Sequence, residues 1–592
     1  MKRLLAITFF LIFSSAGLIF AQSMDRQQIT GTITDATGAA VPDADIVVTN
    51  EATGATRTVK SNSDGNFTVL NIPVGTYSIA TTANGFKKSV LAGVNVDIGG
   101  KPDVPVQLAV GQATESVEVQ AGIVPIQTTS AEIGGVITST EATQIQLNGR
   151  NYIQLLTLQP GVSQTIAGGF ALFGTYGVSG SSQSVNGIRT DSANYFIDGV
   201  DNKDNGGGGN NFVNISPDSL QQFRNVASSY DASYGGTSGA TVSVAIKSGG
   251  RDFHGNVYEY IRNDAIQAYP FRAISSYSQS PIKAPLRYND FGYTIGGPVW
   301  IPGLFNKNRD KLFFFAAQEY KRLRTSTVTN ATVPTPAAIA NAIATGPSTA
   351  TGRALAASVL QDPSGNYRYL QLGNNNQSEY VVKIDYNLNE KNTISGHFVH
   401  DNTLNIGNPT NFVIYDRTIP GLTSSVSWTH TFDSKTVNTA VGSYSGNIIN
   451  EGGNIRANPQ FGNRSINRSD YGMTYATLYG ASPIIPQITI SGYGNPGVTP
   501  RQFDNYQRIY ALKDDFSRVL GNHTLKVGAY FWRARKNQTA PPQLNGAFTF
   551  SDTTDPVTKK VITPALNNLV QGNFASYTEG SNTPQIQARF TQ

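Results

Sequence analysis

The sequence predicts a mainly β chain: a small N-terminal β-sandwich, a mixed α/β domain, and an antiparallel transmembrane β-barrel. Three observations carry this. Short β-prone runs recur at intervals of about ten residues over 28–110. Apolar segments alternate with glycine-rich loops over 127–250. From about Phe253 onward, long strands show period-two alternation of apolar and polar residues.

Composition supports the class and narrows the function. The 592 residues exceed one ordinary domain, and only 14% are charged, against about 25% in soluble proteins. Glycine (59), Tyr (27) and Phe (29) fill the difference and favour strands and turns. The absence of cysteine excludes thiol catalysis, thiolate metal sites and disulfides. A net charge of +5 is spread along the chain, with no concentrated basic face for nucleic acid. At the N-terminus, Lys2 and Arg3 precede an apolar run from Leu4 to Phe20, then Ala21-Gln22. Residues 1–21 therefore read as a cleaved signal peptide, with processing near Ala21.

Residues 28–110 contain "QITGTIT", "ADIVVTN", "NFTVLNI", "TYSIATTA", "VNVDI" and "VPVQLAV", separated by turns such as Asp64-Gly65-Asn66 and Asn84-Gly85. In the last run Val104, Val106, Leu108 and Val110 share one face. This is sandwich spacing. The order "GTITDATGAAVPDADIVVTN" followed by "SDGNFTVLNIPVGTYSIATTANGF" resembles the carboxypeptidase-regulatory-like domain. That resemblance implies a transthyretin-like β-sandwich and a non-catalytic accessory module.

A linker over 111–126 follows. In 127–250, "TQIQLNGRNYIQLLTLQPGV" suits one short helix stopped by Pro160-Gly161. Four motifs then occur in order. They are Leu147, Arg150, Leu155 and Pro160-Gly161-Val162; Asn186-Gly187-Ile188-Arg189; Ile197-Asp198-Gly199-Val200; and Tyr234-Gly235 leading through Gly239-Ala240 to Lys247-Ser248-Gly249. The set resembles the plug domain of TonB-dependent outer-membrane receptors. On this resemblance Tyr195–Asp198 is a strand of the plug's central sheet. Just upstream, Thr114-Glu115-Ser116-Val117-Glu118-Val119 resembles a TonB box, an extended segment recognised by strand addition. The alternative is that it forms the plug's own first strand. Arg150, Arg189 and Asp198 are charges within apolar or glycine-rich plug segments, so some of them are expected to pair with plug or barrel groups.

The loop after Asp198 tests as no metal site. An EF-hand beginning at Asp201 would place Lys203 at position 3 and Phe212 at position 12, where oxygen ligands belong. No Gly-Lys-Ser/Thr follows Gly206–Gly209, so it is no phosphate loop either. On the plug resemblance, Asp201 sits in a loop and the glycine run is a plug loop within the barrel lumen.

Residues 251–592 read as barrel. In "EYVVKIDYNL", Tyr380, Val382, Ile384, Tyr386 and Leu388 face one way, and Glu379, Val381, Lys383, Asp385 and Asn387 the other. "SSVSWTHTF" and "HTLKVGAYFWRARK" repeat the signature, with polar loops such as 324–375 between. A soluble sandwich shows similar alternation, but strand length and terminal aromatics favour a membrane barrel. Ten strand candidates are visible, near 253–262, 288–298, 311–322, 379–388, 393–401, 424–432, 436–447, 506–517, 523–535 and 583–590. Plugged barrels have about 22 strands, and the chain stops in "QARFTQ". The expectation is an incomplete, open barrel of a C-terminally truncated receptor.

No active site is legible. His397 and His400 lie in a strand, where a spacing of three sends them to opposite faces. "GYGNPG" contains Pro496 and lacks a strand–helix frame, and "SPIK" has no companion motif. No enzyme, cofactor or metal is implied. The combination of modules resembles the Oar-like subgroup of TonB-dependent receptors. It implies residence in the outer membrane of a Gram-negative-type bacterium, among outer-membrane lipid. The implied partners are a TonB-type energy-coupling protein in the periplasm and an unidentified ligand (a saccharide, peptide or protein), not nucleic acid. The rival is an exported structural or adhesive β-rich surface protein, which has no use for a plug motif set.

Overall fold

The computed structural model describes residues 27–111, 116–120, 132–164, 183–204, 211–228, 238–268, 285–410, 413–462, 464–479, 483–494, 503–521, 523–539, 543–581 and 586–591. Residues 1–21, read as a signal peptide, together with Thr114, Glu115, residues 121–126, the Gly206–Gly209 run, Tyr234 and Gly235, lie outside the described residues.

Alternation in the first strands closes a two-sheet sandwich. Gln27–Asp35 pairs with Asn66–Ile72 and Val106–Leu108, opposite a sheet of Thr56–Lys60, Asp45–Asn50, Gly75–Thr82 and Lys88–Val96. Ile29, Ile33, Ile46, Val48, Phe67, Ile79, Val94 and Leu108 fill the space between. Thr56–Lys60 carries no apolar alternation beyond Val59, which is why the sequence does not announce it. Ser116–Gln120 extends the second sheet, pairing parallel to Lys88–Ala92. The first plug strand is instead Ile133–Thr138.

The plug is a five-stranded sheet in the order Val200–Asp201, Asn194–Ile197, Thr241–Ile246, Leu220–Ser228, Ile133–Thr138. The single helix expected around 143–160 is replaced by three pieces. Ser139–Gln144 is a helix started by a Thr138/Glu141 capping box, and 3-10 turns follow at Asn148–Arg150 and Tyr152–Leu158. Gly149 (φ 70°) and Arg150 (φ 52°) take left-handed conformations that no right-handed helix admits, so Tyr152, Ile153, Leu155 and Leu156 are buried without one, while Ile145 and Leu158 are exposed. Asp201, expected in a loop, ends a short strand paired with Phe196, because Asp198-Gly199 is a two-residue hairpin turn with both φ positive.

Ten long strands form one antiparallel sheet, from His254–Asn263 through Leu286–Pro298, Leu312–Thr332, Asn366–Asn389, Asn392–Thr410, Val413–Asp433, Thr436–Ala457, Phe503–Leu520 and His523–Thr539 to Ile586–Thr591. The ten candidates are these ten strands, but most are longer than expected. The segment 324–375, read as a polar loop, is strand at both ends with helices Pro336–Ala344 and Ala350–Ser358 between. The ladder continues past the apolar zone, where no lipid demands an apolar convex face and the sequence signal fades. The first and last strands stand at opposite edges of the sheet and do not pair among the described residues, so the wall is open.

Burial separates the membrane reading from the soluble one. Polar Glu379 and Asp401 are buried on the concave face, while Val382, Ile384, Trp428, Leu512 and Phe531 are exposed on the convex face. A soluble sandwich buries the opposite set. Tight connections such as Asn389–Asn392 and Leu520–His523 lie at one end, where the sandwich docks through Asn71 to Thr439 (2.6 Å) and Arg57 to the Glu390 carbonyl. At the other end, the long connections after Thr332, Ala457 and Thr539 pack together into a cap around Leu355, Val359, Ile485, Phe550 and Leu569. Short periplasmic turns and long external loops orient the wall with the sandwich inside.

Candidate functional site: the seam between plug and barrel

The plug meets the barrel through buried charges, and Arg150 is their centre. Its left-handed backbone turns the side chain out of the plug toward the first three barrel strands. The guanidinium pairs with Asp218 of the plug, and with Asp290 (3.4 Å) and Glu319 (3.7 Å) of the barrel. It lies 4.9 Å from the Tyr258 ring centroid and 4.0 Å from that of Tyr260. Tyr258 donates to Glu319 (2.9 Å), Tyr288 to Asp290 (2.9 Å) and Asn256 to Asp218 (2.7 Å), while Lys321 pairs with Glu319 at 2.9 Å. Burial alone would weaken the Arg150 charge, but the carboxylates of Glu319, Asp290 and Asp218 outweigh it and raise its pKa. Burial also lowers the pKa of nearby Lys247, with Asp218 opposing.

The same wall holds the plug segment 211–219 by its backbone. Glu379 accepts from the Ser216 amide (2.8 Å) and Asp401 from the Asn214 amide (3.0 Å). These contacts satisfy plug donors that would otherwise be buried without partners.

A second cluster surrounds Asp198. Its carboxylate accepts from the Ile246 amide (3.0 Å) and pairs with Lys383 (3.0 Å), and His397 lies 3.7 Å away. Further along, Asp201 accepts from the Tyr530 hydroxyl, and Asp204 pairs with Lys536 at 3.2 Å. Burial raises the Asp201 pKa, with Tyr530 pulling it back. Below these groups lies a cavity of about 1450 Å³ between plug floor, sandwich and short-turn end, lined by Asn50, Asn71, Asp198, Lys383, Ser395 and His397 among others.

The other motif residues serve the plug's own geometry. Asn186 (φ 53°) and Gly187 (φ 73°) form a two-residue turn closed by the Ile188 amide on Val185 (3.1 Å), and Asn186 ties to the Ala227 carbonyl. Ile197 is fully buried in the sheet. Arg189 is exposed, with no ion pair among the described residues. Lys247 and Ser248 carry the plug's last strand toward the wall, and Gly249 touches it. A Cβ on Gly249 would sit 2.7 Å from the Gly297 carbonyl oxygen, with the Phe314 carbonyl closer still. Of the candidate box, Ser116–Val119 is the strand on the sandwich edge. His397 is buried on the concave face and His400 lies beside Tyr380 on the convex one, so they form no chelate. No group of metal-binding side chains occurs among the described residues.

The barrel partners Asp290, Glu319, Lys321, Glu379 and Asp401 were not singled out from the sequence. The legible signal was the polar face of a membrane strand, which places Glu379 and Lys383 inward but names no partner.

A sheet with a polar concave face around a plug and an apolar convex face defines a plugged outer-membrane barrel. The chain belongs to the outer membrane beta barrel domain family, whose model matches residues 245–592, and residues 28–109 match the carboxypeptidase regulatory-like domain. Its relatives include the TonB-dependent transporter Oar of Myxococcus xanthus, 25% identical over 318 residues, covering 51% of this chain and 27% of that one. Similar solved structures include the outer membrane transporter YddB from Escherichia coli (TM-score 0.43, 11% identity, 78% of this chain and 52% of that chain). The siderophore receptor PirA from Acinetobacter baumannii is another (TM-score 0.41, 11% identity, 68% and 48%). The chain thus spans 27% of the curated relative and about half of these solved chains. The protein resides in the outer membrane.

Proposed function

We propose that the chain acts as a TonB-dependent receptor, taking up a ligand through a plugged barrel with energy delivered from the periplasm. The observation that supports it best is the seam itself. Arg150, Asp198 and Asp204 each carry a plug charge onto a barrel partner, so the plug is held by ionic contacts and not by an apolar core alone. An adhesin or structural wall has no reason to hold a removable domain this way.

On this reading residues 1–21 direct export, 28–110 form the accessory sandwich, 111–126 the coupling linker, 127–250 the plug and 251–592 barrel wall. Thr114–Val119 is the TonB box, which gives backbone hydrogen bonds to a sheet edge of the coupling protein. The ligand is a saccharide, peptide or protein too large for ordinary porins. The test uses the absence of native cysteine. A Val117→Cys chain should cross-link to a cysteine-bearing periplasmic coupling protein, more strongly when a growth-supporting ligand is present. Absence of any cross-link in cells that import the ligand through this chain would refute the box.

A further inference from the structure

The convex face carries a row of arginines that the plugged-barrel reading does not use. Arg508, Arg535 and Arg589 are direct cross-strand neighbours on three adjacent strands, Phe503–Leu520, His523–Thr539 and Ile586–Thr591. All three are exposed, as is Arg533, one pair nearer the membrane centre and opposite Tyr510. Side chains directly opposite in antiparallel strands stand about 5 Å apart at Cβ, and like charges there are destabilising. None of the four has an ion pair or hydrogen bond among the described residues.

The outward carboxylates on the Arg508 strand are Asp504 and Asp514. At about 3.4 Å per residue they lie roughly 14 and 20 Å from Arg508 along the strand. Both exceed the screening length of about 8 Å at physiological salt, and Asp514 is already bonded by Asn438 (2.7 Å). The charge is therefore uncompensated within the described protein.

Directly beneath the row is a groove of about 500 Å³, lined by Tyr510, Leu512, Phe531, Arg533 and Arg535 among others. Its lower part is apolar and its upper rim cationic. The row lies toward Phe503 and Thr539, the ends that enter the long external connections. It is thus at the external border of the apolar band. A ligand that fits has acyl chains below and a multiply anionic head above.

We infer that this face binds a phosphate-bearing lipid of the outer leaflet. Its phosphates sit among Arg508, Arg535 and Arg589, and one acyl chain lies along Leu512 and Phe531. Arginine suits the role because its planar fork makes paired hydrogen bonds to phosphate and stays charged beside apolar surface. The lipid relieves the repulsion within the row, so it fastens the three strands together while leaving the concave face free.

The test uses the full chain in neutral detergent, with lipid A and dephosphorylated lipid A as probes. The wild type should bind lipid A at least about tenfold more tightly than the dephosphorylated form, each phosphate contact being a charge-assisted bond. Arg508→Gln/Arg535→Gln/Arg589→Gln should lose that preference, the triple Lys variant should keep part of it, and Arg309→Gln, on the short-turn side, should match wild type. Folding is checked without lipid. Removing three opposed charges should leave the Gln variant melting at or above wild type, and lipid A should raise the melting point of wild type but not that of the Gln variant. Equal binding of the two lipids, or undiminished preference in the folded Gln variant, overturns the proposal. Displacement of lipid A by millimolar inorganic phosphate would make this a soluble-anion site and would equally overturn it.

Discussion

Lys383 of the barrel wall holds Asp198 of the plug at 3.0 Å and donates as well to the Ile246 carbonyl at 3.0 Å, so one ammonium ties the hairpin turn and the end of the neighbouring plug strand to the wall. Asp198 completes the arrangement by accepting from the Ile246 amide. Its φ of 43° adds a backbone demand that Asp and Asn meet better than most residues. Asp198→Asn keeps the turn and an acceptor but removes the charge, whereas Asp198→Ala loses all three. The Ala variant should therefore be the less stable, and a double-mutant cycle with Lys383→Met should give a coupling of about 0.5–3 kcal/mol by urea denaturation. A coupling of zero would mean the pair does not act together.

Arg150→Ala should be the most damaging single change at the seam. It leaves Asp218, Asp290 and Glu319 buried around a missing cation, and breaking a buried pair in this way costs about 3–5 kcal/mol. Limited proteolysis should cut the plug of the variant at protease levels that spare the wild type. Arg150→Lys should restore little, because an ammonium cannot span three carboxylates and two rings at once.

Gly249→Ala probes the closest approach of plug and wall. The added Cβ meets the carbonyl oxygens of Gly297 and Phe314, which are backbone and cannot rotate away. Overpacking of this kind costs about 1–3 kcal/mol. Thermal unfolding should show the loss, and Ser248→Ala should not.

Asp201 gives a dependence on pH. Burial raises its pKa in the folded chain, so the folded state binds that proton more tightly than the unfolded one. Stability from this group is present below the unfolded value of about 4 and falls as pH rises through the higher folded value. Asp201→Asn should therefore gain most on the wild type at neutral pH and lose that advantage toward pH 4, in melting curves across the range. A difference that does not vary with pH would contradict the shift.

Val117→Pro addresses the candidate box. Val117 faces Ser89 in the parallel pairing of Ser116–Gln120 with the sandwich, and proline removes its amide donor. Ligand uptake should fall to the level of a strain lacking the coupling protein while the chain stays in the membrane.

Much of this architecture was legible because period-two alternation is imposed by lipid on one side and the plug on the other. Most of the wall strands show it in their membrane-level portions, but Ile586–Thr591 does not, since it places Arg589 on the convex face. The extensions of Leu312–Thr332 and Asn366–Asn389 were not legible, since above the membrane no lipid requires an apolar convex face, and the buried residues there include polar Ser326 and Asn375 as well as Leu323 and Ala331. The plug's expected helix failed on Gly149 and Arg150, whose left-handed backbones are invisible to periodicity. In the seam, Arg150 and Asp198 stood out as charges within apolar or glycine-rich segments, but Asp290, Glu319 and Asp401 looked like any inward polar residue until the plug lay against them. Pairing across the interface is a tertiary fact, and no local spacing encodes it.

The central claim is that the convex face of the wall lies in lipid while the concave face encloses the plug. Single cysteines at Tyr380, Val381, Val382, Lys383 and Ile384, introduced one at a time, can be labelled with an environment-sensitive fluorophore in reconstituted membranes and challenged with a lipid-attached quencher. The account predicts strong quenching at positions 380, 382 and 384 and little at 381 and 383. Uniform quenching, or quenching confined to 381 and 383, would contradict it.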